Sequence, residues 1–163
     1  MKIITKTRIY LPMTALIVTA ALAVAASQNQ VPFKGAMQGH DSDNLISPTI
    51  VVVTTTGTGV GTQLGQFSFT QQGTVNLEAN TESGFTHWVA ANGDTIDTTL
   101  VGTGGPTDTP DVLSITEIHT ITGGSGRFAG AQGSFTVERM ANAATFLTSG
   151  SFHGVISSPG ATH

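Results

Sequence analysis

Hydrophobic and polar residues alternate with a period of two along most of the chain after residue 30, the pattern of a β-strand with one buried face. Residues 112–121 show it most clearly, with Leu113, Ile115 and Ile121 on one face. Residues 46–56 are rich in valine and threonine, whose branched side chains suit a pleated sheet better than a helix. Further strands are predicted at 31–39, 62–72, 73–77, 84–91, 95–102, 133–140 and 145–156.

Turn-forming residues separate these segments. Asn92-Gly93 is the strongest hairpin signal, because this pair accepts the left-handed dihedral angles of a two-residue turn. Turns or loops are also predicted at 40–44, 57–61, 79–83 and 104–111. About eight or nine short antiparallel strands, with no helical pattern after residue 30, predict an all-β domain that is either a sandwich or a closed barrel.

The N-terminal region has the order of a secretory signal peptide. Two lysines and an arginine precede an apolar run at 11–26, which ends in small residues before a polar stretch. We therefore predict an exported protein, secreted or periplasmic, with a signal peptide at 1–26, a β-domain at 31–157 and a frayed tail at 158–163. The apolar run of about 16 residues is short for a bilayer span of about 20, so no stable membrane insertion is expected after cleavage. A retained N-terminal anchor is the alternative.

Cleavage at this position would leave a strongly acidic domain. Three basic residues would remain against ten acidic ones, a formal charge of −7. Such a charge repels phosphate backbones and anionic lipid surfaces, so nucleic acid is not expected as a partner. The chain has no cysteine, which excludes a lipid-anchored bacterial lipoprotein and any disulfide. The domain must therefore be stabilised by its core and its strand pairing.

A glycine-rich stretch follows the strand at 112–121. Residues 123–128 spell Gly-Gly-Ser-Gly-Arg-Phe, and four of them, Gly123, Gly124, Gly126 and Phe128, are predicted to form a structural turn. This stretch resembles the Gly-Gly-Ser/Thr-Gly-x-Phe signature of the allene oxide cyclase and dirigent superfamily. The stretches at 87–94 and 31–35 are similar to those of small exported bacterial proteins with the same barrel.

The resemblance implies a single eight-stranded antiparallel closed barrel with an apolar lumen, often assembled as a trimer. Plant members guide cyclisation or radical coupling in the lumen, and some bacterial relatives cyclise polyketides. The family's catalytic residues do not carry over to this chain. It has no cysteine, its sole tyrosine, Tyr10, lies in the predicted signal peptide, and no motif places the glutamate of the plant cyclases.

Three side chains are candidates for chemistry in the lumen. Glu117 and His119 lie on the same face of this strand as its apolar residues. They are therefore predicted to point inward as an acid–base pair. The alternatives are an inverted face or a position at the wet mouth of the barrel. His87 shares a face with Phe85 and Val89, and is either a third lumen candidate or a hydrogen-bonded core residue.

No metal or cofactor is predicted. The pattern Gly124-x-Gly126-x-x-Ala129 matches a dinucleotide fingerprint, but a strand follows where that fingerprint needs a helix. A polar turn accounts for Asp41 and Asp43. The remaining candidate ligands have no metal-site spacing: His40, His87, His119 and His153.

Two classes of function remain. The first is a barrel of unassigned role that binds a small apolar ligand or is purely structural, and the alternative is a cyclase or isomerase acting on an apolar molecule in the lumen. A cavity of about 300 Å³ or more lined by Glu117 and His119 would favour the enzyme. Six phenylalanines are predicted to fill much of the lumen instead: Phe33, Phe67, Phe69, Phe135, Phe146 and Phe152.

Signal cleavage is the first testable prediction. Mass spectrometry of the extracellular or periplasmic protein should find a new N-terminus between residues 24 and 31, because the small residues there suit signal peptidase. An intact Met1 on a membrane-bound product would contradict it.

Overall fold

The computed structural model describes residues 29–157 and 159–160. Its eight strands are β1 (Gln30–Ser47), β2 (Ile50–Gly61), β3 (Gly65–Asn76), β4 (Thr81–Ala90), β5 (Thr95–Pro106), β6 (Val112–Gly124), β7 (Gly133–Asn142) and β8 (Leu147–Ser157). Each strand pairs antiparallel with its neighbours in sequence, and β1 pairs with β8 to close the barrel. The predicted eight-stranded closed barrel is confirmed, and the sandwich alternative is wrong.

The predicted signal peptide and most of the predicted tail lie outside the described residues. The barrel begins at Gln30 and ends at Ser157. Among the residues that the structure describes, no helix is long and apolar enough to cross a bilayer.

Two predicted turns are strand instead. Residues 40–44 continue β1, where they pair with residues 52–56 of β2, and the chain turns only at Pro48 and Thr49. Residues 57–61 belong to β2 and pair with 65–69 of β3. Local composition predicted turns in these polar and glycine-rich segments. The lumen, however, accommodates both a buried Asp41 and glycines without side chains, so both segments continue as strand.

An aromatic cluster fills one half of the barrel. Trp88 lies at its centre, with ring centroids from 5.3 Å (Phe67) to 5.7 Å (Phe152) away. Removing one such buried ring typically costs about 3–5 kcal/mol. Five of the six predicted phenylalanines belong to this cluster: Phe33, Phe67, Phe69, Phe135 and Phe152. Phe146 does not, because it lies in the β7–β8 turn with φ of +60° and 40% of its surface exposed.

Glycines in β2 make room for the rings. A Cβ atom at Gly57 would overlap the Phe69 ring, and one at Gly59 would overlap the Phe67 ring. Both glycines point into the lumen, because they pair directly with these inward phenylalanines on β3. The glycine-rich composition of 57–61 therefore reflects packing and not chain reversal.

The predicted glycine turn is partly strand: Gly123 and Gly124 end β6, and the chain turns from Ser125 at the aromatic end of the barrel. Gly126 has φ of +57° and begins a single 3-10 turn, Gly126–Phe128, whose phenylalanine is fully buried. Gly124 approaches Thr95 so closely that a Cβ there would overlap the carbonyl oxygen of Thr95. Arg127 lies with its Nε 3.5 Å from Asp94 Oδ2, so it contacts a carboxylate of the neighbouring β4–β5 turn.

Substitutions in this turn should separate required from tolerated glycines. Gly124→Val and Gly126→Val should each lower the free energy of unfolding by more than about 1 kcal/mol, through a backbone clash and a positive φ respectively. Gly123→Val is the matched control, because a Cβ there has no atom within 4 Å. Urea unfolding measures the difference, and equal stability of all three variants would contradict the turn geometry.

Candidate functional site

The other half of the lumen holds polar side chains. Asp41, Glu82, Glu117 and Arg139 all occupy inward positions of their strands, in register with the apolar residues of the core. Arg139, for example, follows the buried Val137 and precedes the buried Ala141 on β7. All four side chains are at most 10% exposed. Buried charges of this kind are stable only when they are paired and hydrogen-bonded.

Arg139 is held mainly by Glu117. Its Nη2 and Nε donate to Glu117 Oε1 at 2.9 and 3.1 Å, and its Nη1 donates to Thr148 Oγ1 at 3.2 Å. Asp41 Oδ2 and Glu82 Oε2 each lie 3.7 Å from a terminal guanidinium nitrogen, beyond hydrogen-bond length. The guanidinium charge is therefore compensated directly by Glu117 and more weakly by the other two carboxyl groups.

Glu117 anchors a hydrogen-bond network below Arg139. Gln71 Nε2 donates to Glu117 Oε1 at 2.8 Å, and His119 Nε2 lies 3.4 Å from Glu117 Oε2. His119 Nδ1 lies 3.1 Å from Thr98 Oγ1, and its ring stacks on Phe135 with centroids 4.9 Å apart. The imidazole thus joins the polar network to the aromatic cluster.

Glu82 reaches the same network from β4. Its Oε1 accepts a hydrogen bond of 3.3 Å from Gln71 Nε2. The carboxyl group occupies the space beside Gly73, where any Cβ would overlap it. Because Gly73 has no side chain, β3 leaves the space that the Glu82 carboxyl group occupies beneath the mouth of the barrel.

The two glutamates have opposite pKa shifts. Burial and the nearby negative charge of Glu117 raise the pKa of Glu82 from 4.5 to about 7, although Arg139 opposes this. Burial would also raise the pKa of Glu117, but the hydrogen bond from His119 and the charge and hydrogen bonds of Arg139 outweigh it and lower that pKa to about 2. Glu117 is thus held ionised, while Glu82 exchanges its proton near neutral pH.

A cavity of about 230 Å³ lies above these groups, at the end of the barrel opposite the glycine turn. Asp41, Glu82 and Arg139 border it from below, and Asp43 borders it from the side. Its walls are mainly apolar: Val51, Val53, Val75, Leu77, Pro106, Leu113, Ile115, Ala141 and Phe146. A small molecule there would contact apolar walls and a charged floor.

Two of the three side chains that the sequence analysis predicted to lie in the lumen do so. Glu117 and His119 point inward as predicted and are fully buried, but neither lines the cavity. The prediction that His87 lies in the lumen is wrong. His87 is half exposed on the outer face, with Nδ1 2.6 Å from Asp97 Oδ1, because Trp88 takes the inward position on β4.

The cavity's own charged residues were missed. Asp41 was assigned to a turn and Glu82 to a loop, so neither strand face was considered. The sequence pattern could have identified Arg139, since it shares the buried face of β7 with Phe135, Val137 and Ala141. Across residues 29–157, no three histidine or acidic side chains are grouped so as to hold a metal ion.

Strand order and closure define a single eight-stranded antiparallel β-barrel. The chain is similar to the solved structure of the pterocarpan synthase dirigent protein GePTS1, with a TM-score of 0.51 and 13% sequence identity. The match covers 91% of this chain and 99% of that one, so the likeness extends over the whole barrel. No family model and no curated protein matches the sequence. At this identity the comparison establishes the fold alone.

The shifted pKa of Glu82 predicts a pH-dependent stability. Because the folded state binds this proton more tightly than the unfolded chain, stability should fall by up to about 3 kcal/mol as the pH rises from 4.5 through 7. The lowered pKa of Glu117 acts oppositely, so stability should also fall as the pH drops from 4.5 toward 2.

Urea unfolding at about pH 5 and pH 8 tests the first effect. In Glu82→Gln the loss between these pH values should shrink, because the neutral amide has no proton to release. Glu138→Gln, on the exposed face of β7, should behave like the wild type. Parallel pH profiles for the wild type and Glu82→Gln would contradict the assignment.

Proposed function

We propose that the protein is an exported dirigent-like barrel that binds a small, largely apolar molecule in its lumen cavity. The observation that carries this proposal is the cavity itself, with apolar walls above a few convergent buried polar groups. Ligand sites commonly combine such walls with a small number of polar groups that orient the ligand. Export is proposed because residues 1–26 have the basic, then apolar, then small-residue order of a signal peptide.

The cavity's size limits the ligand. Its volume of about 230 Å³ is below the roughly 300 Å³ at which drug-sized sites begin. An apolar cavity of about 150 Å³ is enough to bind benzene, so one or two fused rings is the expected scale. The aromatic cluster closes the far end of the lumen. The ligand therefore enters at the open end, past the rim formed by Leu77, Leu113 and Phe146.

A cyclase or isomerase is the second candidate, and one observation favours it. Glu82 borders the cavity with a pKa of about 7, so it is suited to give or take a proton at neutral pH. Glu117 would act only through Arg139, and His119 only through Glu117, since neither lines the cavity. An enzyme would convert a bound ligand to a product of equal mass and different retention time, and Glu82→Gln would abolish conversion while retaining binding.

Filling the cavity should weaken binding. The neutral probe naphthylethanol should bind the wild type, as measured by isothermal titration calorimetry. Val53→Phe places a ring in the cavity and should weaken binding by at least about tenfold. Val101→Phe makes the same change on the outer face, where Val101 is 59% exposed, and should leave the affinity unchanged.

Circular dichroism and melting curves must show that both variants remain folded. Equal affinity of the two variants would place the probe outside the lumen. Failure of the wild type to bind naphthyl probes of any charge would favour a purely structural barrel.

A further inference from the structure

Carboxyl groups outnumber cations around the cavity. Asp41, Asp43 and Glu82 line it, and Arg139 is the one basic side chain among the lining residues that the structure describes. That guanidinium already donates two hydrogen bonds to Glu117, which lies beneath it and outside the cavity. The positive charge facing the ligand space is therefore largely cancelled from below, while the three carboxyl groups remain.

Asp41 carries a carboxylate oxygen that is buried and lacks a hydrogen bond. The residue is only 7% exposed, and its Oδ1 accepts a hydrogen bond of 2.6 Å from Thr55 Oγ1. Within the described part of the chain, no donor bonds its Oδ2, whose charged contact is Arg139 Nη1 at 3.7 Å. A buried acceptor without a donor is costly, so this oxygen is an available partner for a ligand N–H group.

The walls decide what kind of donor fits. Valine, leucine, isoleucine and phenylalanine side chains surround the space above the carboxyl groups. A bare or hydrated inorganic cation would leave these apolar walls facing water, whereas an anion would meet uncompensated negative charge. An organic molecule with a cationic end and an apolar body satisfies both regions at once.

We propose that the cavity selects an organic cation, namely a small amine whose ammonium group faces Asp41 and Glu82 and whose apolar body contacts the valine-lined wall. This inference rests on the proposed function, because it assigns the ligand class of the same cavity. The pKa shifts of two carboxyl groups are consistent with it. Burial and the negative charge of a neighbouring carboxylate raise the pKa of both Glu82 and Asp43, which is the direction that an excess of negative charge produces.

Three ligands with the same naphthyl body test the proposal: naphthylethylamine, naphthylethanol and naphthylacetate. Calorimetry at about pH 8 and low salt should rank the amine at least about tenfold tighter than the alcohol, and the acetate weakest. Glu82→Gln and Asp41→Asn should each reduce the amine's affinity more than the alcohol's, because each removes a carboxylate that faces the ammonium group. Asp108→Asn, in the exposed β5–β6 loop, controls for the overall negative charge of the protein.

Proton release gives a second, independent measurement. Near pH 7 the amine should displace protons from Glu82, which calorimetry in two buffers of different ionisation enthalpy detects. Glu82 is faced by Gln71 from β3, Glu117 from β6 and Arg139 from β7, with Asp41 on β1 across the guanidinium. The pKa of Glu82 is about 7, so Glu82→Gln should abolish the release.

The outcomes separate the two proposals. If the alcohol binds as tightly as the amine, the cation preference is wrong and the binding function stands. If the amine's advantage survives both carboxyl substitutions, the cation lies elsewhere and the inference also fails. If none of the three ligands binds, the proposed function itself is wrong.

Discussion

The ion pair between Arg139 and Glu117 marks the depth at which the lumen changes from packed aromatic rings to an open cavity. Glu117 Oε1 accepts three hydrogen bonds, two from Arg139 and one from Gln71. Breaking a buried pair by removing one partner typically costs about 3–5 kcal/mol, because the remaining charge is left without compensation. The pair thus fixes the guanidinium as the floor of the cavity, and Asp41 and Glu82 are positioned around that floor.

Packing on either side of this floor follows from side-chain size. On one side, Trp88 and six phenylalanines fill the barrel, and the glycines of β2 supply room for the rings of Phe67 and Phe69. On the other side, smaller valines line the wall and leave about 230 Å³ unfilled. The packed aromatic half therefore supports a cavity that is already formed, which would lower the entropic cost of binding the proposed ligand.

Both glutamates are buried, but only the charge of Glu117 is fully compensated, by the hydrogen bond from His119 and by the charge and hydrogen bonds of Arg139, so their pKa values shift in opposite directions. Glu117 is hydrogen-bonded to Arg139 and stays ionised, whereas Glu82 is farther from it and is close enough to Glu117 to be repelled. Environments that separate the pKa values of two carboxyl groups in this way are common where proteins use the two groups for different roles. Here one carboxylate is structural, and the other is free to respond to a ligand or to pH.

Alternation along the strands was enough to determine the all-β class, most strand faces and the inward positions of Glu117 and His119. Period-two patterns specify which side chains share a face, because successive residues of a strand point to opposite sides of the sheet. The same pattern did not settle strand ends, since Asp41 and the glycines of β2 resemble turn residues locally. Only closure of the barrel brought Asp41, Glu82 and Arg139, which are far apart in sequence, around one cavity. Their meeting depends on the register of every intervening strand, and local sequence does not contain that information.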